Sequence, residues 1–143
     1  QRNSAEALMA LIAGAGNPTA SGGTTGIGKT LNYVGDFAFA YSGIIDTDNN
    51  ETTLLEFSTG SELFVGEWQG YYYESPYNED FRWTVYLNDE KVQTYTGEGS
   101  IRGNSRSQLN IIIPGYTKVK ITCQNVSDTT AREQMASITG RIY

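Results

Sequence analysis

The chain has no histidine and a single cysteine in 143 residues. Without imidazole, triads of the Ser-His-Asp kind are impossible. With one cysteine besides, zinc and other transition-metal sites lose their usual ligands. Cys123 cannot form an internal disulfide. It shares a strand face with Val119 and Ile121, so a buried, inert thiol is expected. Basic residues are scarce too: ten Lys and Arg against sixteen Asp and Glu leave a net charge of −6. Phosphate contacts need clustered cations, and only Arg102 and Arg106, in a Gly/Ser/Asn loop, come near to a cluster, so nucleic acid is not an expected partner. No apolar run approaches the roughly 18 residues of a membrane span, so neither is a membrane.

Three prolines against sixteen glycines suit a protein of many tight turns, and 143 residues suit one domain with a core of its own. The last hundred residues alternate. Residues 82–88 place Trp83, Val85 and Leu87 at period two, and residues 118–123 set Lys118, Lys120 and Thr122 against Val119, Ile121 and Cys123. Side chains on a strand point alternately to opposite faces, so such stretches bury one face and wet the other. The pattern predicts eight strands, at residues 31–45, 52–58, 62–73, 80–87, 91–96, 108–113, 116–123 and 132–143. In the first, Tyr33, Phe37, Phe39 and Tyr41 share one face, with Val34, Ala38 and Ala40 on the other. Gly66 and Gly70 suggest bulges or bends in the third. Asn88-Asp89-Glu90 reads as a hairpin loop and Pro114-Gly115 as a type II turn. The expected fold is all-β: a jelly-roll-like sandwich of about eight strands over residues 31–143.

Residues 1–30 differ. Residues 4–13 read as a short helix, with Ser4 as cap and Glu6 in its first turn, apolar nearly all round through Leu8, Met9, Leu11 and Ile12. So short a helix needs a surface to lie on. Residues 17–29 form a Gly/Ser/Thr-rich linker, so the segment reads as an apolar arm that docks on a neighbouring subunit or folds back on its own sandwich.

Inside the linker, Gly23-Thr24-Thr25-Gly26-Ile27-Gly28-Lys29-Thr30 matches the phosphate-binding loop pattern in full. That chemistry needs a buried strand before the loop and a helix N-terminus after it. Here a polar stretch precedes it and a period-two stretch comes after, so nucleotide hydrolysis is not expected and no cofactor is assigned. Asp46-Thr47-Asp48-Asn49-Asn50-Glu51 opens like a calcium loop but has Glu51 where glycine belongs and Phe57 where the bidentate glutamate belongs, so a turn is expected. Glu56, Glu67, Glu74, Glu79 and Asp80 could supply a glycosidase pair only if two faced one cleft. Asn50 and Asn125 both head glycosylation sequons in turn-like segments.

Seven aromatics fall between Trp68 and Trp83: Trp68, Tyr71, Tyr72, Tyr73, Tyr77, Phe81 and Trp83. Tyr and Trp join a broad apolar face to a polar tip, which suits protein interfaces and sugar stacking alike. With the arm, they nominate Leu8, Met9, Leu11, Ile12, Trp68, Tyr71, Tyr72 and Tyr73 as interface residues. The ordinary alternative is a core face with a few surface tyrosines.

The stretches 53–60 (Thr-Leu-Leu-Glu-Phe-Ser-Thr-Gly), 85–89 with Val92 and Gln93, 111–120 (Ile-Ile-Ile-Pro-Gly-Tyr-Thr-Lys-Val-Lys) and 134–143 resemble a group of small β-rich proteins of marine phages and environmental viral genomes. The resemblance spans residues 31–143 and rests on strand and turn signatures, with no catalytic or ligand residue among them. It implies a virion component: a capsid-decorating, cementing or fibre-type subunit, not an enzyme, partnered by itself or by other virion proteins. A carbohydrate-binding or host-adhesion module using the same aromatics is the alternative.

Overall fold

The computed structural model describes residues 30–72, 78–97 and 107–143, without the side chains of Tyr72 and Ser107. These form ten strands: β1 (Asn32–Val34), β2 (Phe37–Tyr41), β3 (Ile45–Thr47), β4 (Thr52–Ser58), β5 (Phe64–Tyr72), β6 (Phe81–Leu87), β7 (Glu90–Gly97), β8 (Ser107–Ile113), β9 (Lys118–Asn125) and β10 (Arg132–Ile142). They divide into a four-stranded sheet, β4-β9-β6-β7, and a six-stranded sheet, β1-β2-β10-β5-β8, with β3 also on β10. All pairings are antiparallel. The chain changes sheet at every step from β3 to β10 except the β6–β7 hairpin. The central orders β2-β10-β5-β8 and β4-β9-β6-β7 are those of a jelly roll. The arm and linker, residues 1–29, lie outside the described residues. The phosphate-loop pattern leads directly into the β1–β2 hairpin, where its chemistry would require a helix.

The core is the two inner faces interdigitated. From the four-stranded sheet come Leu55, Phe57, Phe81, Trp83, Val85, Val119, Ile121 and Cys123, and from the six-stranded sheet Ala38, Ala40, Phe64, Trp68, Ile111, Ile113, Ala136 and Ile138. Trp83 lies flat on Gly70, where an added Cβ would collide with the indole. Its Nε1–H crosses to the other sheet and donates to the Met135 carbonyl at 3.2 Å. Gly66 and Gly140 face each other beside the Phe64 ring, with no room for a Cβ on either. These glycines therefore admit rings. Neither Gly66 nor Gly70 marks a bulge, since β5 keeps an unbroken register with both neighbours from Phe64 to Gly70. The register shifts fall instead on the edges, in β4 opposite Ile121/Thr122 and in β7 opposite Val85/Tyr86.

Three further expectations are corrected. The stretch 31–45 is not one strand: Val34 pairs with Phe37 across a two-residue turn, with Gly35 at φ +60°. Paired residues share a face, so the turn reverses the parity. Tyr33 joins Ala38 and Ala40 inside, and Val34 joins Phe37, Phe39 and Tyr41 outside. At the β8–β9 connection the left-handed residue is Tyr116 (φ +53°), not Gly115. Gly115 is needed for close approach, since a Cβ there would meet the Ser61 carbonyl at 2.6 Å. Tyr116 is held in its strained conformation by its N–H bond to the Gly60 carbonyl at 2.7 Å. The β6–β7 loop is tighter than expected: Asn88 and Asp89 alone close it, both at positive φ, as a two-residue turn of the primed kind requires.

Trp83→Ala should destabilise the chain by about 3–5 kcal/mol in urea unfolding, because the site facing Gly70 cannot collapse. Gly70→Ala should also be destabilising, by about 1–3 kcal/mol, through forced displacement of the indole.

Candidate interaction surface

The two outer faces differ in character. On the six-stranded sheet, register places Val34, Phe37, Arg141, Val65 and Ile112 in one row across five of the six strands. At about 4.8 Å per strand the row is roughly 19 Å long. Val34 is 64% exposed, Phe37 56% and Ile112 62%, an unusual loading of apolar surface for the outside of a sandwich. Tyr41 continues the band on β2, its ring 5.5 Å from that of Phe39. The one charge in the row, Arg141, is exposed but engaged: its guanidinium lies 5.6 Å from the ring centres of both Phe37 and Tyr143 and reaches Asp36 Oδ2 at 3.4 Å. A guanidinium between two rings adds to an apolar surface more than it interrupts it.

The outer face of the four-stranded sheet is polar and internally hydrogen-bonded. Thr53, Thr122, Thr84 and Thr94 form one row across it, and Glu56, Lys120, Tyr86 and Lys91 the next. Glu51 Oε2 accepts from Tyr86 Oη and from Thr122 Oγ1, each at 2.5 Å. Burial pushes the Glu51 carboxyl up, but these two bonds, with Lys91 and Lys120 nearby, outweigh it and hold the group below its ordinary range. The bond to Glu51 in turn raises the Tyr86 hydroxyl. Lys120 sits 4.9 Å over the Tyr86 ring.

The nominated residues scatter. Trp68 is 1% exposed, packed in the core with its Nε1–H on Gln93 Oε1 at 2.6 Å, so it is removed from the interface set. The signal is present in the sequence: Trp68 stands between Glu67 and Gln69, at the parity of Phe64, Gly66 and Gly70. Tyr71 lies half-buried on the outer face of β5, beside Met135. Tyr72 belongs to β5 by its backbone. Leu8, Met9, Leu11, Ile12 and Tyr73 lie outside the described residues, as do Glu74, Tyr77, Arg102 and Arg106. Val34, Phe37, Tyr41 and Ile112 are not among the nominated residues. For Phe37 and Tyr41 the clue is Ala38 and Ala40 between them, small enough to lie beneath a packed sheet.

Among the described residues other chemistries find no assembled site. Among the described residues no three of His, Cys, Asp and Glu gather as metal ligands. In the calcium-like segment Asp48 Oδ1 accepts from the Asn50 N–H and Glu51 is engaged as above. Glu56 and Glu67 lie on outer faces of different sheets, and Glu79 pairs with Arg132 at 3.0 Å. Burial pushes the Cys123 thiol well above its ordinary value, which keeps it protonated and inert. Asn125 is buried, its amide donating to Asp128 Oδ1 and the Thr130 carbonyl and accepting from the N–H groups of Ser127 and Asp128. That side chain pins its own turn and leaves no space for a glycan, whereas Asn50 is exposed. No helix among the described residues is long and apolar enough to cross a membrane. Gln134 is fully buried on the inner face of β10, and neither amide atom has a hydrogen-bond partner among the described residues.

No protein-family model matches the chain, and no curated protein does. Among solved structures it is similar to a β-glucosidase from Paenibacillus barengoltzii, with TM-score 0.45 and 12% identity over 77% of this chain. It is also similar to the VP2 subviral particle of infectious bursal disease virus, at 0.41 and 12% over 76%. A family 35 carbohydrate-binding module from an environmental isolate gives 0.39 and 12% over 79%. The chain spans 11% of the first, 33% of the second and 72% of the third. Likeness at this level carries no argument about activity or partner.

Two outcomes test the polar groups. Glu51 has a depressed folded-state pKa, so its contribution is present above its unfolded value near 4.3 and is lost as pH falls through the folded value. Glu51→Gln should therefore flatten the acid limb of stability against pH, measured by urea midpoints from pH 7 downward. Gln134→Met removes two orphaned atoms at similar volume and should leave stability unchanged or raise it by about 1–2 kcal/mol. A loss would mean that the amide has a partner.

Proposed function

We propose that the chain is a structural subunit of a virus particle, of the capsid-decorating, cementing or fibre type, working in the virion by self-association and contacts with other particle proteins. The observation that carries the assembly reading is the apolar row Val34–Phe37–Val65–Ile112 on the outer face of the six-stranded sheet. It offers flat, rigid, strand-borne side chains of the kind that form interface centres. The virion setting rests on the resemblance of residues 31–143 to viral β-rich proteins. In this reading the arm, through Leu8, Met9, Leu11 and Ile12, docks on a neighbouring copy, each buried large side chain contributing about 1.5–3 kcal/mol.

The carbohydrate-binding alternative is weakened at its main anchor, because a Trp68 that is 1% exposed cannot stack on a sugar. Of the aromatics nominated for it, Tyr71, Tyr72 and Tyr73 remain.

Light scattering of the full chain beside one beginning at Leu31 tests the proposal. The full chain should give a stoichiometric oligomer that falls to a smaller species on truncation, while circular dichroism still reports the sandwich. Phe37→Glu should weaken association without lowering the melting temperature by more than a few degrees, since the ring is 56% exposed. A monomer in all three, with glycan binding that survives truncation, would favour the alternative.

A further inference from the structure

A jelly roll leaves sheet edges open, and here they are unequal. An open edge presents unpaired N–H and C=O groups, which proteins ordinarily guard with charge, bulges or brevity. At the four-stranded sheet, β4 carries Glu56 and a register shift, and β7 carries Glu90, Lys91 and a second shift. At one side of the six-stranded sheet, β1 and β3 are three residues each and β3 carries Asp46. At the other side β8 has seven residues, Ser107 to Ile113, with no charge, proline or glycine. Its register with β5 is unbroken throughout. Gln108, Asn110 and Ile112 are exposed along it. Its one lateral bond among the described residues, apart from its pairing with β5, is Gln93 Nε2 to the Asn110 carbonyl at 2.9 Å. A carbonyl oxygen has two lone pairs, so that bond leaves room for a second donor.

We propose that β8 is the edge through which two copies of this chain join, antiparallel about a two-fold axis, so that their six-stranded sheets run on as one. A second copy fits this edge for two reasons. In a chain of net charge −6, an uncharged edge lets two identical copies meet without setting like charges together, and β8 is the longest uncharged edge among the described residues, β1 being only three residues. The sequence of β8 is also self-complementary about Asn110: Leu109 falls opposite the other copy's Ile111 towards the core, and Gln108 opposite its Ile112 outside. Such a contact is isologous and consumes the open edge of both copies, so it closes at a dimer. It also brings the two apolar rows onto one surface, with Ile112 of each beside the junction. The inference rests on the self-association reading but does not use the arm.

The full-length chain provides the test. Residues directly opposite in an antiparallel pair have Cα atoms about 4.5–5.5 Å apart, within disulfide range. Asn110→Cys should form a covalent dimer under mild oxidation at micromolar concentration, while Thr94→Cys, on the guarded β7 edge, stays monomeric. The native Cys123 is buried and does not interfere. Ile112→Lys sets a charge on the edge at a position 62% exposed. It should raise the dissociation constant of the dimer at least tenfold, by sedimentation, with the melting temperature nearly unchanged. If Asn110→Cys cross-links no faster than Thr94→Cys, or Ile112→Lys leaves the constant unchanged, the β8 contact is wrong. Association that persists in those variants but is lost on removal of residues 1–30 would leave the arm reading standing and sink this one. A wild-type chain that stays monomeric to millimolar concentration would overturn both.

Discussion

The two sheets are held in register by a reciprocal pair of tryptophans. Trp83, on the four-stranded sheet, sends its indole N–H to the β10 carbonyl of Met135, and Trp68, on the six-stranded sheet, sends its own to Gln93 on β7. Each is a large apolar plate buried in the interior and a directional bond to the opposite layer. Two sheets held only by aliphatic packing could slide by a residue with modest loss. Two oppositely directed N–H bonds resist such a slide, because it leaves a buried donor unsatisfied. Gln93 extends the second bond to the backbone of β8, so the edges of both sheets are tied on that side by one side chain.

Much of the remaining sequence makes room for the plates. Gly70 is bare because Trp83 lies on it, and Gly66 and Gly140 because a Cβ on either would meet the other strand's backbone as well as the Phe64 ring. Ala38, Ala40 and Ala136 keep the six-stranded inner face shallow. On β2 the small residues face in and the bulk faces out, so Phe37 and Tyr41 stand in solvent. The four-stranded sheet has the reverse division, large residues inside and threonines, lysines and carboxylates outside.

Period-two alternation is enough to place the strands near 52–58, 80–87, 108–113 and 116–123, because each has one face fully buried and β-branched or aromatic residues on it. Their number and spacing lead to the jelly-roll class. Where the pattern misleads, the cause is local. Residues 31–45 look continuous because the Gly35-Asp36 turn keeps the chain apolar on either side while reversing its parity. Pro114-Gly115 is a turn, yet the strained residue is Tyr116, because Gly115 is needed against Ser61. Trp68 reads as surface because a run of aromatics invites counting by type, when its polar neighbours Glu67 and Gln69 already assign its side. Which face of β2 is wet, and which sheet edge is unguarded, depend on pairing partners far away in sequence and become readable only with the topology.

Both tryptophans are buried to 1% exposure or less, and this shapes what spectroscopy can report. The chain's intrinsic fluorescence arises almost wholly from the space between the sheets, so its emission should be blue-shifted, shielded from aqueous quenchers and sensitive to sheet separation. Docking on either outer face brings nothing near an indole and should pass almost unseen. A large change in tryptophan emission on adding a partner would therefore report an opening of the sandwich, and surface binding would need a label or a mass-based readout.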